Sequence, residues 1–375
     1  MYRLISLSKI VLKRFLIIEW RSLLSLILIF NVYKHQRLKI NTTEPRIHYA
    51  GAISGSYGGP RVKVKLLKDR FDSKFLDFNI VYVLSNYPYL SQKSLVRIRD
   101  AGIPIILNQN GVFTQGWFGN GWEARNLPNI HAYEICDYVF WQSKFAKMAS
   151  EKFLSSKIKS GEILYNAVNL TKFYPKKSRN RREFIFLVAG NFNSESSLYQ
   201  IKSALMALAN LNSYKNIKLQ IAGLSSEMKK LTLRLAIDLK VNSRIDLLGR
   251  YKQSIWPEIV READAYMALK FQDTCPNLVL EALASGLPVL YSSTGGTPEL
   301  VDDKSGVGLP VDGNWSTTPI APNFEEIAKA MEMIKNDSKE MSLAARSRAE
   351  SKFDVEYWYE RHEQIFNKFL ESKSR

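Results

Sequence analysis

From Arg46 onward, short continuous apolar runs recur, separated by amphipathic stretches of helical period. This recurrence constrains the chain more than any other feature. Runs such as "FNIVYVLS", "IPIILNQN" and "DYVFWQS" place apolar residues side by side rather than at alternate positions, which suits strands covered on both faces. Strands of that kind are parallel, and parallel neighbours need a crossover, here supplied by the amphipathic stretches. "RIHYAG" before these runs and "GEILYNAV" after them complete a first series. The segment "PKKSRNRR", 175–182, then interrupts with a proline and dense positive charge, as an exposed linker does. A second series follows: "EFIFLVAG", "IKLQIAGL", "RIDLLGR", "AYMALK" and "LPVLYSS". With 375 residues and 46% hydrophobic content, there is enough apolar material for two cores. The expected class is α/β with two doubly wound sheets, and the expected site is the cleft between them, beyond the carboxyl ends of the strands.

Charge is distributed unevenly. Lys and Arg outnumber Asp and Glu by 8 to 2 over residues 1–45 and by 20 to 9 over 46–180, and balance at 25 each over 181–375. Clustered cations favour an anionic surface, and a membrane fits better than nucleic acid, because no zinc-finger spacing, no aromatic RNA-binding signature and no basic heptad helix accompanies the charge. Residues 1–45 alternate apolar runs with Lys13, Arg14, Glu19 and Arg21, and the uncharged stretch from Ser22 to Tyr33 holds 12 residues. About 20 are needed to span a bilayer, so the expectation is a basic amphipathic segment lying in the interface, with a helix packed on the globular body and a signal anchor as the alternatives. Cys136 and Cys275 stand far apart without CxxC spacing, and the four histidines form no local ligand pattern, so neither a disulfide framework nor a metal site is expected. A reducing cytoplasm fits, with the protein peripheral on the inner face of the membrane.

The most informative stretch is "MALKFQDTCPNLVLEALASGLPVLYSSTGGTPELV", Met267–Val301. A strand ends near Lys270, and Asn277 is read as the N-cap of the helix "LVLEALAS", whose first amides at Leu278 and Val279 would face the cleft with the positive end of the helix dipole. A diphosphate suits such a terminus. Glu281, one turn on, can accept hydrogen bonds from two vicinal hydroxyls such as those of a ribose. Asp273 precedes the turn and can face a sugar, Gly295 and Gly296 permit a close backbone approach to a ligand, and Glu299 opens a further helix. No Asp-x-Asp sequence occurs, so the paired carboxylates that usually hold a cation on a nucleotide-sugar diphosphate are missing and metal independence is expected.

This segment resembles the donor-binding signature of glycosyltransferase family 4, retaining enzymes of the GT-B fold, in which two acids stand eight positions apart. Here they are Asp273 and Glu281, an aspartate replacing the family's first glutamate. The resemblance implies two Rossmann-like domains, about 46–177 and 178–352, with residues 353–375 as a helix crossing back to the first domain. It implies a nucleotide sugar as cosubstrate without a further cofactor, Asp273 on the transferred sugar and Glu281 on the ribose. The basic pair that the family commonly places after the first strand of the second domain is absent: Gly190 and Asn191 are followed by Phe192, Asn193 and Ser194. Lys270, then Arg250, are the substitute cations on the diphosphate, with Asn191 as a neutral donor.

On the acceptor side, the glycine-rich "GAISGSYGGPRVKV" with Gly58, Gly59 and Arg61 resembles the family's acceptor loop. Arg61, Lys63 and Lys65 could meet a lipid phosphate or form a solvated helix face. "NQNGVFTQGWFGNGW" supplies amides and rings suited to sugars, among them Asn110, where many family members keep a histidine or aspartate, and Trp117. His131 could approach the cleft or be structural. A saccharide or lipid-linked saccharide acceptor, in cell-envelope or exopolysaccharide synthesis, is the expected partner. A GT-B sugar-nucleotide epimerase and a noncatalytic, membrane-associated carbohydrate-binding protein remain the alternatives.

Overall fold

The computed structural model describes residues 23, 25–34, 44–55, 59–71, 77–85, 90–176, 182–211, 214–311, 313 and 315–372. Most of the amphipathic segment expected over 1–45 lies outside them, as does Gly58.

Two parallel sheets form. The first runs β1 (Ile47–His48), β2 (Ile80–Leu84), β3 (Ile105–Gln109), β4 (Tyr138–Trp141) and β5 (Gly161–Ile163), in that spatial order. Its crossovers carry α1 (Gly59–Arg70), α2 (Gln92–Asp100), α3 (Gln115–Phe118), α4 (Trp122–Ile135) and α5 (Lys144–Phe153). Every residue of β2, β3 and β4 is buried, which is why these strands read as unbroken apolar runs. "RIHYAG" yields only two paired residues, because Ala50 and Gly51 both adopt positive φ, at 51° and 82°, and turn the chain away from β2.

The second sheet holds β6 (Phe184–Phe192), β7 (Ile217–Leu224), β8 (Ile245–Gly249), β9 (Ala265–Ala268), β10 (Val289–Ser292) and β11 (Gly306–Leu309), ordered β11-β10-β9-β6-β7-β8. Its helices are α6 (Leu198–Asn210), α7 (Ser226–Asp238), α8 (Trp256–Glu262), α9 (Asn277–Ala284), α10 (Thr297–Leu300), α11 (Phe324–Asn336) and α12 (Ser338–Lys352). The sequence gives little warning of β11, whose "GVGL" lacks an apolar run yet pairs in register with all four residues of β10. One face of this sheet packs on α6 and α11 through Leu205, Leu208, Met331 and Ile334. The other packs on α9 and α12 through Leu280, Leu283, Ala345 and Ala349.

Helix α13 (Val355–Glu371) returns to the first sheet. Asp354 caps it, accepting from the amide of Glu356, and its buried stripe of Trp358, His362, Ile365 and Phe366 packs with Tyr82 and Phe140. The Tyr82 hydroxyl meets His362 Nε2 at 2.8 Å, and burial drives the His362 pKa down to about 3, so the imidazole is a neutral packing group. Arg361 pairs with Glu162 at 2.7 Å and Arg70 with Glu363 at 3.2 Å along the rim.

Residues 25–34 form a helix on the first domain. Asn31 fixes it there, donating to Phe78 O and accepting from the Asp77 amide, with Leu28 buried beside it. Leu23, Leu26, Ile29, Phe30 and Tyr33 remain exposed. No helix among the described residues is long and apolar enough to cross a membrane.

Candidate active site

The order of the second sheet reverses at β6 and β9: β7 and β8 extend it one way, β10 and β11 the other. Open α/β sheets bind ligands beyond the strand ends at such a reversal. A cavity of about 1050 Å³ opens there and reaches across to the first sheet. Gly190, Asn191, Arg250, Lys270, Asp273, Asn277, Leu278 and Glu281 line one wall, and Lys63, Asn110, Trp117, Gln142 and Phe145 the other.

The second-domain wall is built by strand ends. The pairing of β6 with β7 loses register between Ala189 and Phe192, which frees Gly190 and Asn191 from the ladder at the cavity edge. Past β9, Gln272 takes a positive φ of 51° and turns the chain so that Asp273 faces back, its Oδ2 accepting from Lys270 Nζ at 2.8 Å. Lys270 and Asp273 therefore form an ion pair in the cleft. Arg250 Nη2 donates to Asn193 Oδ1 at 2.8 Å, which aims the guanidinium across the mouth.

Helix α9 begins differently from the sequence expectation. Pro276, in extended conformation, occupies the N-cap position, and no side chain caps the helix. Asn277 is the first helical residue, and its Oδ1 accepts from Asn166 Nδ2, which also donates to Cys275 O. Val279 is corrected as well: its amide already donates to Pro276 O at 3.1 Å and its side chain is fully buried, so of the two expected amides the one at Leu278 belongs to the cavity wall. The uncapped terminus still presents the positive end of the dipole to the cavity.

Glu281 faces the cavity from the next turn. Its Oε2 accepts from Trp256 Nε1 at 2.5 Å, and Tyr251 stacks on Trp256 with centroids 4.8 Å apart. Burial lifts the carboxyl pKa to about 7, with the indole bond holding it lower than burial alone would.

Three expected donor residues have other partners. Gly295 and Gly296 do make close approaches, but to protein: a Cβ on Gly295 would stand 2.4 Å from Asp273 O, and one on Gly296 would stand 1.8 Å from Thr274 O and 2.8 Å from Ser143 Oγ. The pair seats the 273–274 turn rather than a ligand. The Glu299 carboxylate crosses to the first domain, accepting from the amides of Lys144 and Phe145 at 2.7 and 2.8 Å and from the Tyr165 hydroxyl at 3.1 Å. It supplements the Ser143 cap of α5 and ties the domains together.

On the first-domain wall, Asn110 is held by Ser85, whose Oγ accepts from the Asn110 amide at 2.7 Å. Trp117, about half exposed, stacks on Phe113 with centroids 4.9 Å apart and forms an aromatic shelf at the mouth. Trp315 reaches over from the β11–α11 loop and stacks on Phe145. Gly59 opens α1, and Arg61 is exposed outside the cavity lining, its stem against Gly55. His131 is half-buried on α4 and is also absent from the lining. Lys63 departs most from expectation: neither solvated nor placed for a lipid surface, it is buried and turned into the cleft. Gln142, Asn166, Tyr251 and Trp256 also line the cavity. They come from segments distant in sequence, and nothing local marks them.

Two facing parallel sheets, a closing helix from the C-terminal side and a ligand cleft at the switch point define the GT-B fold. Residues 171–351 match the family model described as glycosyl transferases group 1. An uncharacterised glycosyltransferase of Methanocaldococcus jannaschii is 25% identical over 224 residues, 56% of this chain and 54% of the relative. The N-acetyl-alpha-D-glucosaminyl L-malate synthase of Bacillus anthracis is 24% identical over 205 residues, 55% and 51%. The chain thus spans about half the length of the curated relatives it matches. Among solved structures, sucrose-phosphate synthase from Thermosynechococcus elongatus superposes with TM-score 0.65 at 15% identity, over 82% of this chain and 77% of that one. Anabaena HepE, solved in complex with UDP, gives 0.63 at 15% identity over 82% of each.

Proposed function

We propose that the protein is a retaining glycosyltransferase of family 4 type, moving a sugar from a nucleotide sugar to a hydroxyl of a saccharide or lipid-linked saccharide. The observation that carries this reading is the continuous wall at the sheet reversal, where Asp273, the uncapped start of α9 and Glu281 line one cavity in that order along the chain. Glu281 takes the ribose hydroxyls, the α9 terminus takes the diphosphate, and Asp273 meets the transferred sugar, exchanging its bond to Lys270 for one to a sugar hydroxyl. Lys270, released, and Arg250 then add positive charge at the leaving group.

In the reaction the bond from the anomeric carbon to the diphosphate oxygen breaks, and the acceptor oxygen bonds to that carbon on the same face. The acceptor proton passes to the departing diphosphate. Charge develops on that diphosphate, so fixed N–H dipoles and cations aimed at it lower the barrier without a metal ion. The Trp117 shelf and Asn110 suit the apolar face and hydroxyls of an acceptor sugar. The exposed apolar side chains of the 25–34 helix and the basic first half support a peripheral position on an anionic membrane face, with a role in envelope or exopolysaccharide synthesis.

A panel of uridine, guanosine and adenosine diphosphate sugars, assayed for nucleoside diphosphate release with and without saccharide acceptors, tests the proposal. One donor should turn over in an acceptor-dependent way, and Glu281→Ala should cut kcat/KM by about tenfold to a hundredfold through the lost hydroxyl bonds. Sugar interconversion without transfer would point to an epimerase, and no turnover with any donor would point to a binding protein.

A further inference from the structure

The first domain contributes to the cleft a buried cation that no carboxylate answers. Lys63 stands on α1 with 6% of its surface exposed. Its ammonium donates to Asn108 Oδ1 at 2.8 Å and to Asn110 Oδ1 at 3.1 Å. Both partners are neutral amides, and among the described residues no carboxylate lies within ion-pair distance. An ammonium has three donors, so one remains, and the side chain lines the same cavity as Cys275 and Asn277. Buried charges in proteins are paired as a rule, and leaving one without its counter-ion is costly.

The second domain lines the cavity with three cations, Arg250, Lys252 and Lys270. Asn191 stands where β6 ends, Lys270 pairs with Asp273 until a sugar displaces it, and Arg250 is held at the mouth by Asn193. Lys63 lines the same cavity as the turn that precedes α9, and the loop beside its partner Asn110 meets that turn across the cleft. A Cβ on Gly111, next to Asn110, would stand only 2.6 Å from Thr274 Oγ1.

We propose that Lys63 is a further anion-binding residue of the cleft, contributed by the first domain, and takes a phosphate oxygen of the bound substrate as its missing counter-ion. The inference rests on reading the cleft as a substrate site. The phosphate belongs either to the donor diphosphate or to a phosphorylated acceptor, and the chemistry of recognition is the same. Burial holds the Lys63 pKa down to about 7, and an arriving phosphate stabilises the charged form. Binding at pH 8 therefore draws a proton from solution.

Titration calorimetry in buffers of different ionisation enthalpy reads that proton directly. The probes are UDP, GDP and ADP for the donor source and glycerol 3-phosphate for the acceptor source, each on wild type, K63M and K63R. In wild type at pH 8 one probe should bind with uptake approaching one proton. K63M should bind it about tenfold to a hundredfold more weakly at pH 6.5 and take up none, since a charge-assisted hydrogen bond is lost. K63R, charged throughout, should bind more tightly than K63M and also take up none. Uptake with a nucleoside diphosphate assigns the donor source, and uptake with glycerol 3-phosphate alone assigns the acceptor source and counts against the donor reading. Nucleoside diphosphate binding with equal affinity and proton uptake in wild type and K63M overturns the role of Lys63 while leaving the glycosyltransferase reading intact. No binding of any probe by wild type overturns both. Should K63M fail to fold, the K63R comparison of proton uptake decides alone.

Discussion

Glu281 shows how a buried acid in a binding site carries a stability cost. Its folded pKa of about 7 lies above the ordinary 4.5, so the carboxyl is destabilising once charged: its contribution is fully favourable below about pH 4.5 and is lost as pH rises through 7. Glutamine in that place keeps the shape without the charge. Glu281→Gln should melt higher than wild type at pH 8, by a margin on the order of 2 kcal/mol, and the margin should vanish near pH 4. Equal melting at both pH values would contradict the burial of the charge. The same pair of residues shows what a sequence can disclose at this scale. Asp273 and Glu281 are legible because one short segment places them, eight apart, around a helix start. Lys63 is not, because "RVKVK" reads as a helix face whichever way it points, and only the amides of Asn108 and Asn110, 45 and 47 residues further on, turn it inward.

Among the elements, the strands of the second sheet and the helix after Pro276 follow from apolar runs and turn chemistry, whereas β11 and the truncation of β1 depend on what lies beside them. The glycine pair is an intermediate case. Close backbone approach was legible at Gly295 and Gly296, but the sequence could not say that the approaching group is the 273–274 turn. Gly296→Ala puts a methyl 1.8 Å from Thr274 O, against backbone that has nowhere to yield without moving Asp273. Strain of this kind costs about 1–3 kcal/mol. Urea unfolding should show a loss of that size, and KM for the donor should rise with it, because the turn that carries Asp273 shifts. A stable variant with unchanged KM would show that the turn is not held by this contact.

For the molecule as a whole, both the class and the two-sheet architecture could be read from the alternation of runs, while the ties between the halves could not. Glu299 bridging to α5 and Trp315 stacking on Phe145 join residues more than 150 positions apart. Surface behaviour also belongs to this scale. The 25–34 helix is fastened by Asn31 with Leu26 and Phe30 turned outward, 65% and 60% exposed, beside a first half rich in Lys and Arg. The protein should co-sediment with phosphatidylglycerol vesicles and release as salt rises, since screening weakens the cationic attraction. Leu26→Glu with Phe30→Glu should reduce the bound fraction severalfold, and no change would place the contact elsewhere. Helix α13 has a different consequence. Tyr82, Phe140 and Phe71 belong to the first domain, yet the side chains that complete their packing, Trp358, His362 and Phe366, are translated only after the entire second domain. During synthesis the first domain therefore keeps an uncovered apolar face until α13, which follows the entire second domain, has been made.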